Sequence, residues 1–110
     1  MRAGPLCLAT VILLMAFAPS AGAGTAQQNR LVICKVFGPK YCTQALEVSR
    51  CESGHSIWAR NGQYLGLFQM GSYARSRFGH SSNAWGQARS AYRYFVESGR
   101  DWSPWSCKPW

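Results

Sequence analysis

The chain has 110 residues, with 12 Lys and Arg set against four acids and a formal net charge of +8. A chain of this size is expected to make one domain with a limited core. The basic balance directs attention to anionic partners: nucleic acid, a membrane surface or a cell-wall polymer.

In chain order, residues 1–23 read as a secretory signal peptide. Arg2 supplies the positive start, Leu6 to Phe17 is almost wholly apolar, and Ala21-Gly22-Ala23 offers a small-residue cleavage site, with Gly24-Thr25-Ala26 as a second option. The apolar run is too short to span a bilayer, and no later run is longer, so no stable membrane insertion is expected. Cys7 precedes the apolar core and does not read as a lipid-modified residue. Export predicts a secreted protein, extracellular or associated with a cell wall. Residues 24–40 form an N-terminal segment, in which 24–29 are small and polar and read as disordered. Leu31-Val32-Ile33 is a short apolar run without a clear period.

The main domain is expected over 41–110. Its first helix spans about 41–52, where Cys42, Ala45, Leu46 and Ser49 follow the i, i+3, i+4, i+7 rule. Tyr41, Ala45, Val48 and Glu52 share a narrow stripe, so Glu52 leaves the helix at the border of its buried face; Gly54 stops the helix. Residues 55–68 read as loop or hairpin, with Asn61-Gly62 as the turn signal. Ser72 to Phe78 predicts a short helix ended by Gly79. Ser81-Ser82-Asn83 caps the longest helix, about 84–98. There Ala84, Ala88, Ala91, Tyr92 and Phe95 line one face, and Arg89 and Arg93 lie away from it. Gly99 suits the residue after the helix. The tail from Asp101 to Cys107 is aromatic, and Trp102 and Trp105 are assigned to the core.

Four cysteines follow the leader: Cys34, Cys42, Cys51 and Cys107. An even count in a small exported domain reads as two disulfides. Zinc is disfavoured because no Cys-x-x-Cys pair is present and only His55 and His80 remain to assist; no metal and no cofactor are expected. A helix over 42–51 sets its end cysteines roughly 13 Å apart, beyond the ~7 Å reach of a bridge. Two pairings remain: Cys34–Cys42 with Cys51–Cys107, or Cys34–Cys51 with Cys42–Cys107. The first is simpler, since Phe37-Gly38-Pro39 is a turn signal inside its short loop.

Glu52 is the candidate catalytic group, one of few acids and placed where a helix gives way to a loop. Ala45-Leu46 to Cys51-Glu52-Ser53, then Ala59-Arg60-Asn61-Gly62, then Gly66-Leu67-Phe68-Gln69-Met70, resembles the soluble lytic transglycosylase pattern. The Cys51-Glu52-Ser53-Gly54 run, with Trp102, Trp105 and Cys107 near the end, is also similar to the resuscitation-promoting factors of actinobacteria. These are small secreted lysozyme-like domains. The match covers roughly residues 41–107. It implies a mainly α fold of lysozyme-like type (α+β, with a short hairpin beside a cleft), Glu52 as general acid and peptidoglycan glycan strands as substrate. It also implies the Cys51–Cys107 bridge, in agreement with the simpler pairing. Resuscitation-promoting factors are more Gly-rich where this chain has Tyr64 to Gln69, which bears on substrate preference.

Cleavage of a glycosidic bond needs a proton on the leaving oxygen and stabilisation of positive charge on the ring. A carboxyl group delivers that proton only while it holds one near neutral pH, a state that partial burial favours. No second carboxylate is a persuasive partner. Glu47 lies about 140° around the helix from Glu52, and Glu97 and Asp101 fall near the tail. In lytic transglycosylases the muramic N-acetyl group assists and the 6-hydroxyl closes an anhydro ring, so a single acid fits that chemistry; hydrolysis by water is the other outcome. Gln69 is a candidate to bond substrate or to orient Glu52. Trp58, Tyr64 and Tyr73 are candidates to stack on sugar faces. Ser53 reads as a support for the helix end, and His55 and His80 as solvated loop residues. The expected partner is cell wall rather than nucleic acid, and the protein is expected to be a monomer. Two other readings stand beside this one: a non-catalytic wall-binding or signalling module on the same fold, and a basic antimicrobial protein. The long helix, which buries its apolar face in its own core, argues against the antimicrobial reading.

Overall fold

A computed structural model describes residues 25–110, so the expected leader lies outside the described residues. Helix α1 covers Ala26–Ser53, strand β1 Arg60–Asn61, strand β2 Tyr64–Leu65, helix α2 Ser72–Phe78 and helix α3 Ala84–Glu97. The protein is therefore mainly helical, with one two-stranded hairpin and two disulfides.

Helix α1 is two helical stretches joined by a kink. Gly38 has φ 79° and ψ 169°, outside helical space, and Pro39 follows it. Proline removes a backbone donor and pushes the preceding residue out of the helical region, and glycine accepts the positive φ that results. Cys34 and Cys42 have Cα atoms 4.5 Å apart. A straight helix would set residues eight apart at about 12 Å, so the chain folds back here and the Cys34–Cys42 bridge clamps the bend.

The stretch before the kink corrects the expectation for 24–29. Thr25 Oγ1 accepts the Gln28 N–H (3.1 Å) and Gln28 Oε1 accepts the Thr25 N–H (3.0 Å). That reciprocal capping box starts the helix at Ala26. Asn29, Ile33 and Phe37, spaced by four, are its buried residues. Ile33 and Phe37 of this stretch thus belong to the same core cluster as residues of 41–110. Phe37 is central to that core: its ring centroid lies 5.5 Å from Phe68, 5.2 Å from Tyr92, 5.8 Å from Phe95 and 5.7 Å from Trp102. Such aromatic pairs add to the area they bury.

Helix α3 begins at Asn83, whose side chain accepts the Gly86 N–H at 2.9 Å. Its Ala88, Ala91 and Phe95 are fully buried, and α3 packs against α1. Gly99, with φ 82°, follows the helix in the expected left-handed conformation. The hairpin pairs Arg60 with Leu65 and Asn61 with Tyr64. The two loop residues are therefore Gly62-Gln63, one position later than the Asn61-Gly62 signal implied, and Gly62 supplies the positive φ of 61°.

Trp102 and Trp105 are buried, as expected for core. Cys51 and Cys107 form the second disulfide, with Cα atoms 6.0 Å apart. Two disulfides fit an oxidising compartment. No helix among the described residues is long and apolar enough to cross a membrane.

Candidate active site

Glu52 lies in the last turn of α1, which ends at Gly54 in the left-handed conformation (φ 63°, ψ 31°). Its carboxyl opens into a cleft of about 770 Å³. The hairpin contributes Arg60, Asn61 and Tyr64 to its lining, and Tyr73, Tyr94 and Trp105 come from α2, α3 and the tail. Glu52 Oε2 accepts the backbone N–H of Cys107 at 3.0 Å. The disulfide between Cys51 and Cys107 thus ties the helix end to the tail, and the hydrogen bond beside it fixes the direction of the carboxyl.

The four acids differ sharply in what surrounds them. Glu47 pairs with Arg50 at 2.6 Å, and the Arg50 hydrogen bond holds its carboxyl below the usual carboxylate range. Glu97 pairs with Arg77. Asp101 Oδ1 accepts the Ser103 N–H at 2.9 Å. Glu52 alone lines the cleft, and it has no salt-bridge partner among the described residues. No second carboxylate reaches the site.

The Gly66–Phe68 segment of the cleft wall is held by side chains from two helices, α1 and α3. The Leu67 carbonyl receives Ser49 Oγ (3.1 Å) and Ser53 Oγ (2.7 Å), and the Leu67 N–H goes to Gln87 Oε1 (2.8 Å). Gly66 is required here: a Cβ at that position would lie 2.3 Å from Gln87 Oε1, and its φ is 82°. Leu67 and Phe68 insert into the core, at 0% and 1% exposure. The Gly66-Leu67-Phe68-Gln69 run is therefore a loop stapled to the helical body from within, which positions the cleft wall.

The expected site residues separate in space. Tyr64 and Tyr73, both exposed, and Gln69 line the cleft with Glu52. Gln69 Nε2 donates to the Ala59 and Gly66 carbonyls, each at 3.1 Å. It braces the loop and makes no hydrogen bond to Glu52, which corrects the expected orienting role; its Oε1 has no protein donor among the described residues. Trp58 lies outside this cleft and lines a second, smaller depression that shares Ala59 and Arg60 with it. Ser53 supports the helix end, as expected, and also accepts the Ser56 N–H at 3.2 Å.

His55 departs from the solvated loop residue expected. It is 5% exposed, with φ 62°. Its Nδ1 lies 3.1 Å from Ser49 Oγ and its Nε2 3.4 Å from Arg30 Nη1, and its carbonyl accepts the Asn29 Nδ2–H at 2.9 Å. Burial first, then the Arg30 and Arg50 charges, push its pKa down. This histidine locks the stretch before the kink to the end of the same helix. His80 is exposed, in line with expectation. Sequence reasoning did not single out Arg60, Asn61 or Tyr94 as cleft residues and assigned Trp105 to the core alone. Arg60 and Asn61 flank the recognised turn, which was the available signal; Tyr94 and Trp105 reach the cleft through tertiary packing only.

No group of three or more metal-ligating side chains occurs among the described residues. No family model matches the chain, and neither the curated proteins nor the solved structures compared contain a match.

Proposed function

We propose that the protein is a secreted, single-domain peptidoglycan glycosidase of lysozyme-like type, a lytic transglycosylase or muramidase. It would cleave the β-1,4 bond between N-acetylmuramic acid and N-acetylglucosamine, with Glu52 as general acid. The observation that supports this reading best is the isolation of Glu52. It is the one acid of four without a cationic or turn-capping role, and it opens into a groove flanked by exposed Tyr64 and Tyr73. Flat aromatic faces and a few polar groups around one carboxyl are what a glycan site requires.

In the proposed step the Glu52 carboxyl gives its proton to the glycosidic oxygen, and the bond from that oxygen to the muramic C1 breaks. The positive charge on C1 is relieved by the sugar's own 6-hydroxyl or by water, and the proton of that group returns to the carboxylate. One acid serves both halves, consistent with a cleft that holds no second carboxylate. Mass spectrometry of the digested glycan separates the two outcomes, because the anhydro and reducing products differ by one water.

Glu52→Gln is the decisive variant, since the amide keeps an acceptor for the Cys107 N–H but has no proton to donate. Wall clearing is expected to fall by ~10²–10⁴-fold, the usual contribution of a general acid, with wall binding retained in a sedimentation assay. The hydrogen bond between Glu52 and Cys107 N–H favours one competing reading, a wall-binding or signalling module in which Glu52 only anchors the tail. A biological effect that is unchanged in Glu52→Gln would establish that module and remove the enzyme.

A further inference from the structure

A second depression of about 250 Å³ adjoins the cleft. Trp58, Leu65, His80 and Gln87 line it, and Ala59 and Arg60 belong to both hollows, so the two meet at the first strand of the hairpin. Its floor is a closed hydrogen-bond set. Gln87 Oε1 accepts the Leu67 N–H (2.8 Å), and Nε2 donates to the Ile57 carbonyl (3.2 Å) and the Ser81 carbonyl (2.9 Å). A satisfied, buried floor of this kind is rigid.

Two side chains at its rim have no task inside the protein. Trp58 is 67% exposed, a large apolar ring left in water. The Arg60 guanidinium has no hydrogen-bond or salt-bridge partner among the described residues, and no acid lines the depression. Four other arginines are engaged, Arg50 and Arg77 in ion pairs and Arg75 and Arg93 on backbone carbonyls; the Arg100 side chain shares the unpaired state of Arg60 but lines neither hollow. A single exposed aromatic is common. An exposed indole beside an unpaired guanidinium, over a fixed floor and continuous with a larger cleft, has the composition of a recognition site. The guanidinium fork suits a carboxylate, and the indole offers a flat apolar face to the C–H side of a sugar ring.

We propose that this depression is an accessory site for the same polymer: an acidic N-acetyl sugar unit of a long glycan strand, its ring on Trp58 and its carboxylate on Arg60. The proposal rests on the glycan reading of the cleft. A strand crossing Ala59 and Arg60 from the cleft reaches Trp58, so long strands are held at both places and short ones at the cleft alone. The small volume, under the ~300–1,000 Å³ of drug-sized sites, suits one ring rather than a second cleft.

The test measures binding by titration calorimetry in the folded, disulfide-bonded protein carrying Glu52→Gln, so that glycan is not consumed. The probes are a tetrasaccharide and an octasaccharide of alternating N-acetylglucosamine and N-acetylmuramic acid, and a neutral N-acetylglucosamine octamer. Adding Trp58→Ala is expected to weaken the acidic octasaccharide about tenfold, as loss of an aromatic anchor does, and the tetrasaccharide less than about twofold; Trp58→Phe restores most of the loss. Arg60→Gln is expected to weaken the acidic octasaccharide and leave the neutral octamer unchanged. Equal affinities with and without Trp58 at both lengths, with an unchanged melting temperature, overturn the accessory site. If glycan is cleaved by the parent protein and Trp58 has no effect, the site falls and the cleft reading stands. If the parent protein cleaves nothing yet octasaccharide binding depends on Trp58, the catalytic reading falls and the site stands; if no glycan binds, both fall.

Discussion

The cleft is bounded by two segments that are held by opposite means. The tail from Asp101 to Cys107 has no helix or strand, yet Trp102 and Trp105 are 1% and 5% exposed. Their indole N–H groups donate to Gln44 Oε1 (2.8 Å) and to the Phe68 carbonyl (2.9 Å), and a disulfide closes the end. The hairpin has regular backbone pairing, yet none of its four strand residues is buried. It leans on Arg75, whose Nη1 donates to the Gln63 and Met70 carbonyls, and on Gln63 Oε1, which accepts the Ser72 N–H at 2.9 Å. Rigidity here follows burial and cross-linking rather than regular secondary structure: a lone two-stranded ribbon is marginal in water, while an irregular segment with two buried tryptophans is part of the core. One wall of the cleft is fixed with the core, and the other is expected to open at lower free energy.

Removing a tail anchor is the strongest way to break this comparison. Trp102→Ala deletes a ring whose centroid lies 4.4 Å from that of Phe95 and strands Gln44, and is expected to cost roughly 3–5 kcal/mol in urea unfolding. A loss under about 1 kcal/mol would show that the tail is not core. The disulfides come next. Cys51 and Cys107 are 56 positions apart and Cys34 and Cys42 only 8, so chain-entropy arguments give about 4 kcal/mol for the first bridge and about 2.5 for the second. Paired Cys→Ser variants measured by the same unfolding should keep that order.

The hairpin side gives smaller changes in stability and larger ones in function. Arg75→Ala is expected to lower stability by about 1 kcal/mol while reducing wall clearing several-fold, because it frees the ribbon that carries Tyr64. Parallel loss of stability and activity would place the hairpin with the core after all. The smallest effect is a pH slope. His55 has its pKa pushed below the ordinary 6.5 by burial and neighbouring arginines, so the unfolded chain binds more protons than the folded one as pH falls through that region. Its contribution is complete above about pH 6.5 and is lost as pH drops through the folded value. Melting temperatures between pH 7.5 and 5 should fall in the parent protein and fall less in His55→Gln.

Local signals in the chain were sufficient for several elements. Ser72–Phe78 and the start of the long helix at Ala84 follow from a glycine stop and an Asx cap, and Gly54 and Gly99 take the left-handed conformation that ends a helix. These are decided within a few residues, so sequence carries them. The helix before Gly38 was equally local, with Thr25-x-x-Gln28 as a capping box and Asn29, Ile33 and Phe37 on one stripe. Polar residues around that stripe hid it, because their exposure in the helix and in a disordered arm look alike in composition.

The candidate site was legible in part for a different reason. Glu52, Tyr64, Gln69 and Tyr73 fall on one cleft, but a residue's type does not say which side of a hairpin it faces: Trp58 and Trp105 are the same amino acid, one in water and one in the core. His55, three residues from Glu52, is buried because Asn29 and Arg30 arrive from the far side of a kink. The amino-acid order by itself determined the helix stops, the turn, the cysteine pairing preferred and the position of the one distinctive acid, since each rests on spacing along a short stretch. Only the tertiary structure decided that Arg77 meets Glu97, which aromatic rings met the cleft and which imidazole was sealed from water, because burial is a property of what packs over a side chain, and those partners lie far along the chain.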